Sequence, residues 1–207
     1  MFTICTGFIQ EGKKEEYMNK LKDDGKIFNN SIGVLNRSFF QCEYQSHIIW
    51  AITEWVSEKH HNDAAELLMK IRRDDRFASI SGGQPYFEIF CAENESIKIN
   101  ACAHDINYMV IAYFTINEVC SGKYLEIRDS RINEIKGNIN FMRVFHNIYN
   151  SNEFVAFLGF KNKEEYESAR NTNGLLIEEY LFTGLKDPFS MSYVAGYNQF
   201  VCNRITL

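Results

Sequence analysis

The sequence is poor in several features that mark particular classes of protein. Its 207 residues include only two prolines, Pro85 and Pro188, which excludes a long proline-rich linker. The 22 basic residues are outnumbered by 27 acidic ones, and the net charge of −5 gives no basic footprint for a nucleic-acid partner. No apolar run reaches the roughly 18 residues of a transmembrane helix. Residues 1–16 place no basic residue ahead of their apolar stretch, unlike a signal peptide, so we expect a cytoplasmic protein with no membrane partner.

Motifs of several enzyme classes are also missing from the sequence. The glycine pair Gly82-Gly83 stands alone, and there is no G-x-G-x-x-G, Walker A, G-x-S-x-G or H-E-x-x-H pattern. Nucleotide-dependent, serine-hydrolase and zincin chemistry therefore have no support. No two cysteines form a C-x-x-C pair, so we expect reduced, buried thiols and no metal site. The six cysteines are Cys5, Cys42, Cys91, Cys102, Cys120 and Cys202.

An internal duplication is the most informative feature that the sequence does contain. The segments Phe2–Ile9 and Tyr108–Thr115 are both apolar, aromatic and β-branched, as strands are. Each leads to a Gly-Lys pair, at Gly12 and at Gly122, and then to a helical pattern. A glycine, a strand, a polar turn and another strand follow in both halves. The helical patterns rest on Tyr17, Leu21 and Phe28 in the first half, and on Leu125, Ile132 and Ile135 in the second.

The two halves match best where the third strand of each passes into a second helix. Trp55 aligns with Phe160 at the ends of these strands. Ser57 aligns with Asn162, and both residue types suit the N-cap of a helix. Glu165 lies three residues after Asn162, which predicts a capping box. Both halves are therefore expected to continue as helices from these points.

The order of elements predicts an α+β protein made of two tandem ferredoxin-like repeats, each β-α-β-β-α-β. A final strand closes each half, at residues 86–91 and 190–195. We place the first repeat at 1–93, a linker at 94–107 and the second repeat at 108–207. A ferredoxin-like sheet carries both helices on one face, so its other face needs a cover. Because the chain holds two copies, the two sheets can cover each other, which predicts an intramolecular dimeric α/β barrel.

The stretch Ile52–Glu58 is the part of the sequence that most resembles a known family. Here a predicted strand ends in Trp55 and the chain passes through Ser57 into a predicted helix. It resembles the dimeric α/β-barrel superfamily, in particular the branch related to antibiotic biosynthesis monooxygenases, here as two fused copies over nearly the whole chain. The resemblance implies a monomeric pseudo-dimer, with further self-association left open. It also implies a monooxygenase-like protein that binds or oxidises a small aromatic or apolar molecule without a nucleotide cofactor. The alternative is a non-catalytic ligand-binding or interaction module of the same fold.

A haem-degrading branch of that superfamily implies a different set of residues. That branch uses an Asn in the first strand, a Trp within the second helix and a His later in that helix. Here the first strand offers Thr6 and Gly7, and the helix after Ser57 has no Trp. Its histidines, His60 and His61, lie in the first turn. We therefore expect no cofactor, with haem as the less favoured alternative.

Two histidines are candidates for a general base. His61 lies at the start of the second helix, where the alternative is an ordinary solvated helix end. His146 ends the second strand of the second repeat and alternates with Met142 and Val144, so we expect it on their face of the strand. The alternative for His146 is a strand-end residue with no role in chemistry.

Two arginines stand among apolar residues of the second strands. Arg37 and Arg143 differ by two positions when Gly33 is aligned with Gly137, which predicts that they occupy the same face. A buried guanidinium needs an anionic partner. Both are therefore candidates for stabilising an anion or enolate, and the alternative is a structural ion pair. The acids that such a pair would use are Glu54 and Glu88.

Aromatic residues are abundant, with 17 Phe, 11 Tyr and 2 Trp. Tyr17, Trp50, Trp55 and Tyr113 are predicted to line a cavity for a flat apolar ligand, and the alternative is that they form plain core. A cofactor-free oxygenase needs little beyond such walls, a base and an orienting polar group. The substrate itself becomes a carbanion that reacts with oxygen.

Overall fold

The computed structural model describes residues 1–29, 33–64, 66–67, 70, 79–82, 87–93, 106–117, 126, 141–173 and 194–205, and within them we name eight strands and three helices. The chain divides into two compact units, Met1–Cys91 with Arg204–Leu207, and Ala92–Asn203. In the first unit the elements are β1 (Phe2–Phe8), α1 (Lys14–Asn29), β2 (Val34–Cys42), β3 (Ile48–Trp55), α2 (Glu58–Asp63) and β4 (Phe87–Glu93). The later elements are β5 (Tyr108–Ile116), β6 (Phe141–Asn147), β7 (Glu153–Phe160), α3 (Lys163–Asn173) and β8 (Val194–Ile205).

The sheet of the first unit is antiparallel, with the strand order β4-β1-β3-β2. In its centre Cys5 of β1 pairs with Ala51 of β3, and Ala51 pairs with Phe39 of β2. A bulge interrupts the β2–β3 pairing between Val34 and Asn36. The first and last strands of the unit thus lie side by side, as a β-α-β-β-α-β connection requires.

The second unit repeats this plan, with the order β8-β5-β7-β6. Tyr108 of β5 pairs with Phe160 on one side and Asn203 on the other. The predicted α+β class with two ferredoxin-like sheets is therefore confirmed. The predicted closure of the two sheets into one barrel stays a prediction.

The last strand of each repeat extends further along the chain than predicted. β4 ends at Glu93, and β8 runs from Val194 to Ile205, well beyond the predicted end at residue 195. Polar residues such as Asn198 hide the continuation of β8 in the sequence, yet pairing with β5 continues to Asn203. The predicted first helix of the second repeat lies outside the described residues apart from Glu126, as do residues 190–193.

Each sheet has one face that packs against helices, which we call its helix side. In the first unit, Phe39 and Ile49 pack with Tyr17 and Leu21 of α1. In the second unit, α3 supplies Tyr166 and Ala169, which pack on the face carrying Tyr108, Val110, Leu158 and Phe160. Side chains alternate along a strand and directly paired residues share a face, so the register assigns the paired residues of β1, β2, β3, β5, β6 and β7 to the helix side or the opposite face.

Local capping explains where α2 and α3 begin. The Ser57 hydroxyl accepts a hydrogen bond from the His60 backbone amide and lies 2.8 Å from His60 Nδ1. For α3, Asn162 Oδ1 accepts from the Glu165 amide at 2.9 Å, and Glu165 Oε2 accepts from the amide of Lys161 at 2.7 Å. The predicted N-caps and reciprocal capping are confirmed, with the Glu165 carboxylate reaching one residue beyond the cap.

Gly33, which precedes β2, is expected to tolerate no side chain. Its φ is +98°, and an added β-carbon would lie 2.6 Å from Cγ of the capping residue His60. Gly33→Ala is therefore expected to lower the free energy of unfolding by about 1–3 kcal/mol, measured by urea denaturation. Gly25→Ala on α1 is the matched control: a β-carbon there meets nothing within 4 Å, so stability should rise by up to about 1 kcal/mol. Equal effects of the two substitutions would contradict this account of Gly33.

Candidate functional site

A polar row crosses the helix side of the first unit. Thr3 of β1 pairs with Thr53 of β3, which pairs with Arg37 of β2, and we call these three residues the polar row. Thr3 and Thr53 are buried. Arg37 is half-buried, and its Nε and Nη1 atoms are shielded from solvent. The row therefore sets two hydroxyls and a guanidinium into a largely apolar layer, where polar groups are stable only when they are hydrogen-bonded or paired.

The aromatic ring of Tyr17 reaches this layer from α1. Its hydroxyl lies over Gly7 of β1, where a β-carbon would overlap it. Burial raises the pKa of the Tyr17 phenol well above its ordinary value, the charge of Arg37 lowers it in part, and Asp24 and Cys5 raise it further. The phenol therefore stays protonated near neutral pH and can donate a hydrogen bond.

Two further charges lie on the buried face of α1. Lys20 and Asp24 form an ion pair one helical turn apart, and both side chains are almost fully buried. On the sheet, the Arg37 guanidinium carbon lies 4.7 Å from the ring centroid of Phe39, within range of a cation–π contact. The helix side of the first unit thus combines a phenol, a guanidinium and an ion pair with aromatic walls.

Trp55 and His61 occupy the end of this face. Trp55 is 1% exposed, and its Nε1 donates to Thr3 Oγ1 at 3.0 Å, which ties it to the polar row. The buried His61 ring of α2 stands edge-on to Trp55, with centroids 5.1 Å apart and an angle of 87°. Because His61 is buried, the alternative of a solvated helix start is wrong for it. Its neighbour His60 joins the cap instead.

The eight residues predicted from the sequence divide among four faces. Tyr17, Arg37, Trp55 and His61 all belong to the helix side of the first unit. By register, Trp50 lies on the opposite face of that sheet, while Tyr113 and Arg143 lie on the opposite face of the second sheet. His146 pairs with Phe154 and shares the face of Met142 and Val144, as predicted.

The prediction that Arg37 and Arg143 share one type of face is wrong. Arg37 pairs with Thr53 on the helix side, whereas Arg143 pairs with Phe157 on the opposite face. The bulge between Val34 and Asn36 adds one residue to β2 after Gly33, and one residue reverses the face of every later side chain. Glu54 also lies on the face opposite Arg37, and the Glu88 side chain lies outside what the structure describes.

Sequence reasoning missed four polar residues of this face: Thr3, Lys20, Asp24 and Thr53. Lys20 and Asp24 follow Tyr17 by three and seven residues, which places them on its stripe of the helix. The spacing thus predicts that Lys20 and Asp24 lie on the buried stripe of the helix. Their charge predicts the opposite, because charged side chains are normally exposed to solvent. In the sequence, Thr3 and Thr53 are ordinary strand residues. Only the strand register shows that Thr3 pairs with Thr53 and that Thr53 pairs with Arg37.

The described residues contain no helix that is long and apolar enough to cross a membrane. Across the same residues, no group of three or more His, Cys, Asp or Glu side chains is placed to hold a metal ion. The predicted lack of a cofactor stays a prediction.

Tyr17 gives the site a measurable dependence on alkaline pH. The unfolded chain loses the Tyr17 proton near pH ~10, whereas the folded protein keeps it. Above that pH the folded state binds more protons, so stability should fall as pH rises, by up to about 1.4 kcal/mol per unit. Urea denaturation between about pH 9 and about pH 11 should show a steeper fall for the unaltered protein than for Tyr17→Phe. Identical slopes would show that Tyr17 does not resist ionisation.

Comparisons with known proteins find the same fold at low sequence identity. No protein-family model matches the chain, and no curated protein matches its sequence. A protein named "putative monooxygenase" from Fusobacterium nucleatum matches with a TM-score of 0.71 and 13% identity, over 99% of this chain and 92% of its own. One of the same description from Lactobacillus acidophilus NCFM gives 0.65 and 14%, over 98% and 92%. An anthrone oxidase-like protein gives 0.69 and 14%, over 99% and 91%.

These likenesses extend over nearly the whole chain and show a monooxygenase-like fold. The predicted resemblance to monooxygenase-like proteins is confirmed for the fold alone. Activity and substrate must be argued from the residues of the helix side, because one fold carries many functions.

Proposed function

We propose that the chain is a monooxygenase-like enzyme that binds a small aromatic or apolar molecule on the helix side of its first unit and oxidises it without a nucleotide cofactor. The observation that carries the proposal is the placement of a protonated phenol, Tyr17, and a guanidinium, Arg37, within one largely apolar layer that also holds the ring of Phe39. A hydrogen-bond donor and a cation in a dry layer favour a substrate that develops negative charge on oxygen. An enol, a phenol or an anthrone-like ketone has that property.

The chemistry follows from these two groups and a base. His61 takes a proton from a carbon beside the carbonyl group of the substrate, while Arg37 and Tyr17 stabilise the resulting enolate oxygen. The carbanion supplies the electrons that reduce oxygen: a C–O bond forms, and the peroxide O–O bond then breaks. His61 returns the first proton to the peroxide, which gives CH–OOH. It then takes the second proton from the same carbon as the C=O bond forms and the O–O bond breaks, and the released hydroxide takes up this proton as water, so that CH2 + O2 gives C=O + H2O.

The spacing of the site suits a flat substrate. Trp55 lies two residues beyond Thr53, which is the strand partner of Arg37, so their positions are separated by about 6–7 Å along the sheet. This is on the scale of one or two fused aromatic rings. His61 lies at the Trp55 end and Arg37 at the other, so the base and the oxyanion-stabilising group would approach different parts of one molecule.

Anthrone is a suitable probe, because an anthrone oxidase-like protein shares the fold and the substrate carries a CH2 group beside activated rings. Oxygen uptake and the absorbance of anthraquinone should both rise above the spontaneous rate when the purified protein is added without any cofactor. Heat-denatured protein is the control. Binding of anthrone without turnover would favour the non-catalytic ligand-binding module. If the protein neither binds nor oxidises anthrone, the proposal is overturned.

A further inference from the structure

The two repeats place equivalent residues at equivalent points, which allows their helix sides to be compared residue by residue. Trp55 and Phe160 end the third strands, and each receives the edge of a ring four residues after the N-cap. His61 meets Trp55 at 5.1 Å, and Tyr166 meets Phe160 at 5.4 Å and 69°. The scaffold is thus the same in both repeats, although the chemistry of the side chains differs.

In the second repeat, apolar residues replace the whole polar row. The strand register equates Thr3, Thr53 and Arg37 with Val110, Leu158 and Met142. The exposed fractions of Val110, Leu158 and Met142 are all 0%, and the three pack in one apolar cluster with Tyr166. The described part of this helix side therefore offers no cation and no hydroxyl from these positions.

A second replacement fills the space that Tyr17 uses in the first repeat. Gly7, which lies under the Tyr17 hydroxyl, is equivalent to Phe114, because both pair with the same position of the third strand. The Phe114 ring stacks on Phe154 at 5.5 Å and 10° and is fully buried. A phenol could not approach this strand as Tyr17 approaches β1, since the aromatic ring already occupies the space.

We infer that only the first repeat holds a working ligand site, that the chain binds one small aromatic molecule, and that Thr53 and Arg37 determine which repeat is used. This inference rests on the proposed function and specifies it further. Duplication leaves one repeat free to be optimised for packing, and Val110, Leu158 and Met142 form a solid core there. The first repeat instead keeps polar groups at the same positions, as a binding site with a few placed polar groups requires.

Titration with anthraquinone, a stable aromatic probe, tests this inference by counting sites per chain. The unaltered protein should bind one molecule. The double variant Thr53→Leu with Arg37→Met, which installs the residues of the second repeat, should weaken binding by at least about tenfold. The matched control, Leu158→Met with Met142→Leu in the second repeat, should change the dissociation constant less than about twofold. Circular dichroism checks that each variant is folded, and Thr53→Val with Arg37→Lys replaces the first variant if it is not, with weaker binding again expected.

The possible results separate the two proposals. Two molecules bound per chain, or binding that survives changes at Thr53 and Arg37 but is lost on changing Leu158 and Met142, would overturn this inference and leave the proposed function standing. If the unaltered protein binds neither anthraquinone nor anthrone, the proposed function fails, and the single-site inference fails with it.

Discussion

Replacing Arg37 with methionine is expected to lower the rate of cofactor-free anthrone oxidation by about 10²–10³-fold, the usual effect of removing one oxyanion-stabilising group. The charge of the guanidinium lowers the pKa of the Tyr17 phenol, and two of its nitrogens are shielded from solvent. Methionine removes the positive charge and the cation–π contact with Phe39, and it matches Met142 of the second repeat. Stopped-flow absorbance of anthraquinone, corrected for spontaneous oxidation, measures the rate.

The control for this experiment removes a like charge from elsewhere in the chain. Arg143→Ser changes an arginine on the opposite face of the second sheet to the residue found at the equivalent position 38. It should leave the rate within about twofold of normal, since the enolate would not meet this residue. If Arg143→Ser lowers the rate as much as Arg37→Met, the helix side of the first unit is not the site of oxidation.

Truncating Trp55 to alanine is expected to lower the free energy of unfolding by about 3–5 kcal/mol. The side chain is 1% exposed and packs with Val34, Ala64 and His61, so its removal leaves a large cavity. The loss of Nε1 also leaves the buried Thr3 hydroxyl without this donor. Because domains of this size have only about 5–15 kcal/mol of stability, the midpoint of urea denaturation should fall strongly.

A graded series separates packing from hydrogen bonding at Trp55. Trp55→Phe, which reproduces Phe160 of the second repeat, should cost only about 1–3 kcal/mol, because the ring remains while the N–H donor is lost. Leu35→Ala, at a side chain that is 61% exposed, should change stability by less than about 0.5 kcal/mol. If Trp55→Ala costs no more than Leu35→Ala, the described packing of Trp55 is wrong.

Much of the fold could be predicted because each repeat repeats the same local signals. The apolar, aromatic and β-branched character of β1 and β5, the capping residues Ser57 and Asn162, and the matching turns predict the number and order of strands. The length of β8 escaped, since long-range pairing with β5 carries that strand through polar residues such as Asn198. Local sequence patterns do not reveal pairing between strands that are distant in the sequence.

The candidate site was predictable only in part, for a similar reason. Tyr17 and Trp55 were predictable as site residues from their aromatic side chains, and Arg37 from its charge within an apolar strand. The structure brings all three to one face. The face of Arg37 relative to that of Arg143 depends on a one-residue bulge in β2 that spacing alone does not reveal. Buried charges such as Lys20 and Asp24 also run against the usual expectation for helix surfaces, so tertiary packing was needed to find them.

A small aromatic molecule bound on the helix side of the first unit can be detected directly, because each face of the first sheet carries one tryptophan. The chain has only two tryptophans, Trp55 on that side and Trp50 on the opposite face of the same sheet. Fluorine NMR of protein labelled with 5-fluorotryptophan should therefore give two resonances, assigned with Trp50→Phe. If anthraquinone binds on the helix side of the first unit, its addition should shift the Trp55 resonance and change the Trp50 resonance little. A shift confined to Trp50, or no shift at either residue under saturating anthraquinone, would contradict binding on that side.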